Sequence, residues 1–253
     1  MVVTSSTINL EKLVWGRRIE IPPIQRDYAW SSKGKDASAD QLIRDLIVFH
    51  SKNKVGNYYL GNFIIVVENP DKLTELYNKE GTEDFVWSLL DGQQRLTSLT
   101  MIFNSIYIIL NESSDPRAPH ICNDIKSRFI FADESRFDTS EWGAAIFPRR
   151  EETQEFLSWL LHDCTEDPKN YTSQDGSVTN IQEAAILFHK YIRKIYKKLG
   201  VDELIKFYDT LCKRVMVSLT ITDEASMGFQ MFQTANSRGT ALTSYDMFRA
   251  FCI

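Results

Sequence analysis

The sequence has few of the residues from which metal and redox sites are built. Its 253 residues include 4 cysteines and 4 histidines. The cysteines lie too far apart for a zinc knuckle or a C-x-x-C redox pair, and no two histidines have the spacing of a helical zinc motif. We therefore expect reduced, structural thiols, as in a cytosolic protein, and no zinc chemistry.

Long apolar segments and an excess of positive charge are also missing. The sequence has no run of about 18 apolar residues, and its first residues lack the basic start and apolar stretch of a secretory signal. These features predict a cytoplasmic protein with no transmembrane helix. The formal net charge is -5, so binding to a polyanion would need a local basic groove.

What is present is typical of a soluble globular protein, with 43% hydrophobic and 25% charged residues. Runs of β-branched and aromatic residues predict strands at 61–67, 85–90 and 214–222. Apolar residues at helical spacing predict helices at 39–52, 96–110, 151–163, 180–200, 201–213 and 223–239, the last with Asp223 as its cap.

This order predicts an α+β fold, in which both ends of the chain contribute to one small mixed sheet and the middle is mainly helical. We divide it into a core at 1–110, a helical region at 111–213, and a returning strand with helices at 214–253 that complete the same domain.

The segment DGQQR, residues 91–95, is the sharpest local signal, because it lies between a predicted strand and a predicted helix. Its glycine permits a tight turn and close approach of a ligand, and the free amides of a helix's first turn favour an anion. Arg95 adds a bidentate donor suited to phosphate. The alternative is that Asp91 only caps the helix and Gly92 only makes the turn.

Two further segments carry candidate ligand contacts. In IPPIQRDYAW, residues 21–30, the prolines hold the chain extended, and Gln25 and Arg26 are then placed to bind a ligand or a carboxylate. Tyr28 and Trp30 either stack on a base or pack in the core, and core packing is the commoner role.

The third segment is FQTANSRGTALTSYD, residues 232–246. Asn236, Ser237 and Arg238 lie just before Gly239, at the end of a predicted helix. A simple joint between two helices is the alternative explanation for this pattern.

In this order, the three segments resemble the signature of the N-terminal domain of the GmrSD family of modification-dependent, type IV restriction proteins. The resemblance spans residues 21–246, and YYLGNFII at 58–65 is similar to the family's aromatic-Leu-Gly strand. It implies a ParB/sulfiredoxin-like core that binds and hydrolyses a nucleoside triphosphate (GTP, ATP or another), with Mg²⁺ as the expected ion. Position 24 is Ile, where many relatives carry an aromatic residue, so a base-sensing role there is not implied.

The resemblance also assigns roles to residues. It implies catalytic roles for Asp91, Gln94 and Arg95, with magnesium ligation and helix capping both open for Asp91. It implies nucleotide binding by a wider set drawn from all three segments: Gln25, Arg26, Gly92, Gln93, Asn236, Arg238 and Gly239. It names no set of metal ligands.

The expected partners follow from the same resemblance. They are the nucleotide, modified DNA, and an HNH-type nuclease domain in cis or in trans, whose clustered His and Asn are not found up to Ile253. The expected function is that of a cytoplasmic regulatory or sensor domain of a restriction or phage-defence protein. The alternatives are a ParB-like DNA-binding or protein-interaction module without turnover, and a domain that cuts DNA itself. Homo-oligomerisation is left open.

Overall fold

The structure, a computed structural model, describes eleven stretches of the chain. They are residues 3–14, 18–22, 25–34, 37–52, 55–67, 86–130, 146–148, 156–157, 159–161, 167–172 and 179–236.

Within this part of the chain, strands from both ends of the sequence form one mixed sheet. The strands are β1 (Val3–Asn9), β2 (Arg18–Ile21), β3 (Tyr58–Val67), β4 (Val86–Asp91), β5 (Ile146–Pro148) and β6 (Val215–Thr222). Their order across the sheet is β1-β6-β3-β4-β2-β5. β6 runs antiparallel to β1 and parallel to β3, while β3 and β4 are antiparallel. β2 is parallel to both β4 and β5.

Helices provide most of the remaining described structure. They are α1 (Leu10–Val14), α2 (Ser38–Ser51), α3 (Gln93–Asn111), α4 (Ala118–Ile125), α5 (Asn180–Arg214) and α6 (Ala225–Asn236). A π-helical turn, Lys126–Ile130, continues α4, and a short 3-10 turn covers Pro168–Asn170. α5 is interrupted at Gly200, where φ is 84° and ψ is 178°, so it consists of two helical halves.

The two faces of the sheet pack against different partners because side chains alternate along each strand. On β3, Phe63 and Ile65 enter the main core, which also contains the almost fully buried helix α3. Ile64 and Val66 point to the other face, where they form a smaller cluster with residues of β4 and α6. The sheet therefore separates the main core from α6.

A glycine lets α6 lie close to the sheet. A Cβ atom at Gly228 would lie 2.8 Å from Cδ1 of Leu90 and 2.9 Å from Cγ2 of Val66. Such contacts are too short for carbon atoms, so a larger residue would force α6 away from β3 and β4. The last residues of α6, 232–236, are the first residues of the third sequence segment.

The α+β fold and the mixed sheet are confirmed, as are the strands predicted at 61–67, 85–90 and 214–222. The predicted helix at 180–200 ends at the Gly200 break, and the next helical half follows at once. Of the helix predicted at 151–163, the described residues 156–157 and 159–161 are helical. The helix predicted at 223–239 is described as far as Asn236.

Two details differ from the sequence prediction. The strands β1, β2 and β5 and the short helix α1 were missed; β1 is rich in Ser and Thr, and β5 has only three residues. The cap of α6 was also wrong by one residue. The carbonyl oxygen of Glu224 accepts a hydrogen bond from the Gly228 N–H at 3.0 Å, so Glu224 and not Asp223 holds the N-cap position.

Candidate functional site

The turn between β4 and α3 is built around Gly92. This residue has φ of 98°, in the left-handed region that favours glycine. A Cβ atom there would lie 2.5 Å from Cδ1 of Phe63, so the space is also closed to larger residues. The Gly92 N–H donates a hydrogen bond to Oδ1 of Asp91 at 2.8 Å. The side chain of Asp91, which directly precedes Gly92, thus stabilises the turn.

The first turn of α3 keeps backbone donors free. Its first intrahelical hydrogen bond runs from the Leu96 N–H to the Gly92 oxygen at 2.9 Å. The amides of residues 93–95 therefore have no acceptor within the helix, and the N-cap residue supplies no side-chain bond to them. Free amides and the positive end of the helix dipole together favour an anion at this turn.

Arg95 lies in the same helical turn and is only loosely held. Its Nη1 donates to the Leu60 carbonyl oxygen at 3.4 Å, and its Nη2 lies 3.4 Å from Oδ1 of Asp91. The guanidinium carbon lies 5.3 Å from the centre of the Phe63 ring, within range of a cation-π contact. Because these hydrogen bonds are long, the guanidinium can exchange them for an anionic ligand at low cost.

Space for this guanidinium comes from Gly61, which the sequence analysis did not select. A Cβ atom at Gly61 would lie 1.8 Å from Nη1 of Arg95, and the glycine has φ of 130°. A glycine inside a strand of β-branched and aromatic residues often marks a close approach of another group, and that signal was present in YYLGNFII.

Asp91 is the carboxylate of the turn. Its side chain is 20% exposed and forms an i,i+4 ion pair with Arg95. Burial raises the pKa of the Asp91 carboxyl above its usual value, although the Arg95 charge and the Gly92 N–H oppose this shift. A partly buried carboxylate with a perturbed pKa, beside free amides and an arginine, is often found at a functional site.

The two glutamines that the structure brings to this turn bind backbone atoms. Gln25 Nε2 donates to the Leu90 carbonyl oxygen at 2.7 Å. Gln94 uses both ends of its amide: Oε1 accepts from the Ala29 N–H at 2.9 Å, and Nε2 donates to the Asp27 oxygen at 3.1 Å. The QRDYA segment is therefore fastened to DGQQR, and we refer to these three hydrogen bonds as the glutamine clamp.

The aromatic residues of the first segment have different places. Tyr28 is 7% exposed, and its hydroxyl forms a 2.8 Å hydrogen bond with Oγ of Ser98 on α3. Burial raises the pKa of Tyr28, as expected for a core phenol. Trp30 is half-buried and lines a cavity. Core packing is thus the role of Tyr28, whereas Trp30 packs against the edge of the main core and also lines the cavity.

This cavity has a volume of about 680 Å³ and lies between α2, the start of β3 and α3. The volume lies in the range of small-molecule sites, which is about 300–1,000 Å³. Its lining includes one cation, two aromatic rings and, on α2, two carboxylates and one amide: Arg95, Trp30, Tyr58, Asp40, Asp45 and Gln41. Arg95 is thus shared by the Gly92 turn and the cavity.

The remaining predicted residues lie apart from these contacts. Arg26 is exposed and makes no hydrogen bond or ion pair with any described residue. Gln93 is 8% exposed and forms no side-chain hydrogen bond within the described structure. Asn236 ends α6, where only its backbone is described, and Arg238 and Gly239 lie outside the described residues.

The described residues provide neither a cluster of metal ligands nor a helix suited to cross a membrane. They contain no group of three or more His, Cys, Asp or Glu side chains placed to hold a metal ion. Among their helices, none is both long and apolar enough to cross a membrane.

Comparisons with known proteins agree with the resemblance carried by the three segments. The family described as GmrSD restriction endonuclease, N-terminal domain, matches residues 10–253. The uncharacterized protein MJ0686 of Methanocaldococcus jannaschii is 21% identical over 259 residues, a match that covers 96% of this chain and 40% of that protein. The chain therefore spans less than half the length of this curated relative. Since the family matches nearly all of the sequence, the chain belongs to the family of the GmrSD restriction endonuclease N-terminal domain.

Proposed function

We propose that this chain binds and hydrolyses a nucleoside triphosphate, and that it acts as the regulatory or sensor domain of a modification-dependent restriction protein. One observation carries the proposal. The Gly92 turn presents three amides without helical acceptors beside Arg95, and Arg95 also lines a cavity of about 680 Å³. The anionic group of a ligand could thus bind at the turn while the rest of the same ligand occupies the adjoining cavity.

The phosphates would bind at the turn. Arg95 would replace its 3.4 Å contacts with Leu60 and Asp91 by shorter bonds to phosphate oxygens. The nucleoside would occupy the cavity, where Trp30 and Tyr58 supply aromatic surface. Asp45 accepts one hydrogen bond, from Gln41 at 2.7 Å, and its second oxygen would suit a ribose hydroxyl or a base N–H group.

The glutamines divide their roles in this proposal. Gln94 and Gln25 position the site through the glutamine clamp. Gln93 has no side-chain hydrogen bond within the described residues, so it is the glutamine with capacity to orient phosphate or water. Arg26 is exposed, and a further charge contact to the phosphates is its proposed role. Asn236, Arg238 and Gly239 keep the nucleotide contacts that the family resemblance implies.

Magnesium fits this site with one protein ligand. Mg²⁺ is usually bound through one or two carboxylates together with substrate phosphates, and Asp91 is the carboxylate at the turn. When bound, the ion would neutralise phosphate charge. Asp91 itself would hold the turn through the Gly92 N–H and would orient Arg95. Modified DNA and an HNH-type nuclease, in cis or in trans, are the partners of this proposal.

The test compares nucleotide affinity and phosphate release, with Mg²⁺ present, in the wild type, Arg95→Ala and Arg95→Lys. A hydrogen bond to a charged group contributes about 1.5–3 kcal/mol, so Arg95→Ala should weaken binding about 10- to 100-fold. Arg95→Lys keeps the charge but loses the bidentate geometry and should have an intermediate affinity.

Arg193→Ala is the matched control. Arg193 pairs with Glu112 at the far end of α3, and 17 residues of helix correspond to about 25 Å. Its nucleotide affinity should equal that of the wild type. If the folded wild type binds no nucleotide, the proposal fails. Binding without phosphate release would instead favour the module without turnover, and equal release by Arg95→Ala would remove Arg95 from the mechanism.

A further inference from the structure

Four lysines share one side of α5, in its first helical half. Lys190, Lys194, Lys197 and Lys198 are all exposed, and we call them the lysine face. None of the four forms an ion pair or a hydrogen bond through its side chain with another residue of the described chain. Within the described structure they form a cationic patch without acidic partners, in a protein whose formal net charge is -5.

The spacing of these residues makes the patch continuous. Offsets of 4, 7 and 8 residues from Lys190 fall within an arc of about 100° when each residue turns the helix by about 100°. Along the axis the patch extends about 12 Å. The four ammonium groups can therefore contact one elongated anionic partner at the same time.

Helix stability does not explain the arrangement. Lysines in the last turn before Gly200 interact favourably with the helix dipole, which accounts for Lys197 and Lys198. That effect fades within one turn, so it does not reach Lys190 or Lys194. Like charges four residues apart destabilise a helix, and the lysine face contains two such pairs, 190/194 and 194/198.

Other basic residues of α5, in contrast to the lysine face, are paired with acidic residues. Arg193 pairs with Glu112, Lys206 with Glu203, and Lys213 with Asp209 at 2.6 Å. Pairing is thus the usual state of the α5 cations outside the lysine face. The lysine face has no acidic partners in the described structure, although the protein has a net negative charge. Such a patch is suited to bind an anionic partner by charge complementarity.

We propose that the lysine face binds the phosphate backbone of duplex DNA, independently of sequence. One strand of duplex DNA carries a phosphate about every 3.4 Å along the axis, so a 12 Å patch faces about three to four phosphates. Lysine is a point charge with flexible reach, which suits backbone contacts more than base readout. None of the four lysines lines the Arg95 cavity, and the proposed contact does not depend on nucleotide hydrolysis.

A membrane surface is a poorer match for this helix. A helix that binds at a lipid interface inserts large apolar residues from the side opposite its lysines. On that side of α5, Phe188, Ile192 and Ile195 are buried in the main core, and Leu199, which is 64% exposed, is a single apolar side chain and does not form a surface for insertion.

The test measures how the affinity of the 253-residue chain for a duplex of about 20 base pairs changes with salt, from about 25 to about 200 mM. Each phosphate contact adds about 0.9 to the slope of log affinity against log salt. The Lys190→Gln/Lys194→Gln variant should reduce the slope by about 1.8, and the variant with all four lysines replaced by about 3.6. Between about 50 and 200 mM, the latter difference corresponds to about 150-fold in affinity.

The matched control is Lys206→Gln/Lys213→Gln, which removes the same charge from the second half of α5, where both lysines are paired. Its slope should equal that of the wild type. Circular dichroism verifies that each variant is folded.

Three results would overturn the proposal. They are a wild type that does not bind duplex DNA even at about 25 mM salt, a slope that the lysine-face variants leave unchanged, and an equal loss of slope in the control pair. Vesicles containing anionic phosphatidylserine provide the second arm. Loss of vesicle binding with retained DNA binding in the lysine-face variants would assign the patch to lipid and reject the DNA contact.

Discussion

Replacing Gln94 by leucine tests whether this residue positions the site or takes part in the chemical step. In the structure, Oε1 of Gln94 accepts from the Ala29 N–H at 2.9 Å and Nε2 donates to the Asp27 oxygen at 3.1 Å. Leucine has a similar size and a similar helix propensity, so it preserves α3. It leaves one backbone donor and one backbone acceptor of the QRDYA segment without their partners.

The expected loss follows from these two bonds. A hydrogen bond contributes about 0.5–1.5 kcal/mol net, and a fully buried unpaired group costs more. Ala29 is exposed and Asp27 is half-buried, so water can partly replace the lost contacts. We therefore expect Gln94→Leu to lower the free energy of unfolding by about 1–3 kcal/mol.

Urea unfolding of the wild type and the variant measures this difference. The control is Gln41→Leu, since Gln41 is an exposed helical glutamine whose amide bonds only Asp45, and its effect should stay within about 0.5 kcal/mol. Nucleotide affinity in Gln94→Leu should fall because Trp30 and the Gly92 turn lose their common support. An unchanged urea midpoint together with abolished phosphate release would refute this reasoning and return Gln94 to the chemical step.

Two further predictions concern the same turn. Gly61→Ala places a Cβ atom 1.8 Å from the Arg95 guanidinium, so nucleotide affinity, measured by calorimetry, should fall as far as in Arg95→Ala. The control is Gly56→Ala, because Gly56 also has a positive φ but a Cβ atom there would have no atom within 4 Å; this variant should retain the nucleotide affinity of the wild type. The pKa of Asp91 is raised in the folded state, so folding favours the protonated carboxyl. The stability that Asp91 contributes is therefore lost as the pH rises from the unfolded-state pKa of about 3.9 through the higher folded-state pKa. Asp91→Asn should flatten the pH dependence of urea unfolding in that window, and a steeper dependence would contradict the assignment.

Local patterns predicted the elements whose character is visible within a few residues. β3, β4 and β6 are runs of apolar or β-branched residues, and each was found where expected. β1 has the sequence VTSSTIN, in which three of seven residues are exposed and none is buried, so its strand state depends on pairing with β6, more than 200 residues away. Pairing over that distance cannot be read from local propensity.

The candidate site, like the fold, could be predicted from local sequence patterns only in part. A glycine between a strand and a helix predicted the free amides of the Gly92 turn, and the position of Arg95 in that turn followed from the spacing. The cavity depends on how α2 lies against the start of β3, so neither Asp45 nor Tyr58 could be selected beforehand. Gly61 carried a local signal, but its meaning required the Arg95 side chain in place.

The physical reason for glutamine in both segments lies in the chemistry of its amide. Its carbonyl accepts and its NH₂ donates, so one side chain can bind a backbone N–H and a backbone oxygen at once, as Gln94 does. A glutamate at that position would place a carboxylate against the Asp27 oxygen, and asparagine is one methylene shorter. The same logic applies to Gln25, whose NH₂ bonds the Leu90 oxygen at 2.7 Å, one residue before Asp91. These neutral bonds leave the charge of the turn to Asp91 and Arg95, so the two segments are held together without occupying the free amides in the first turn of α3.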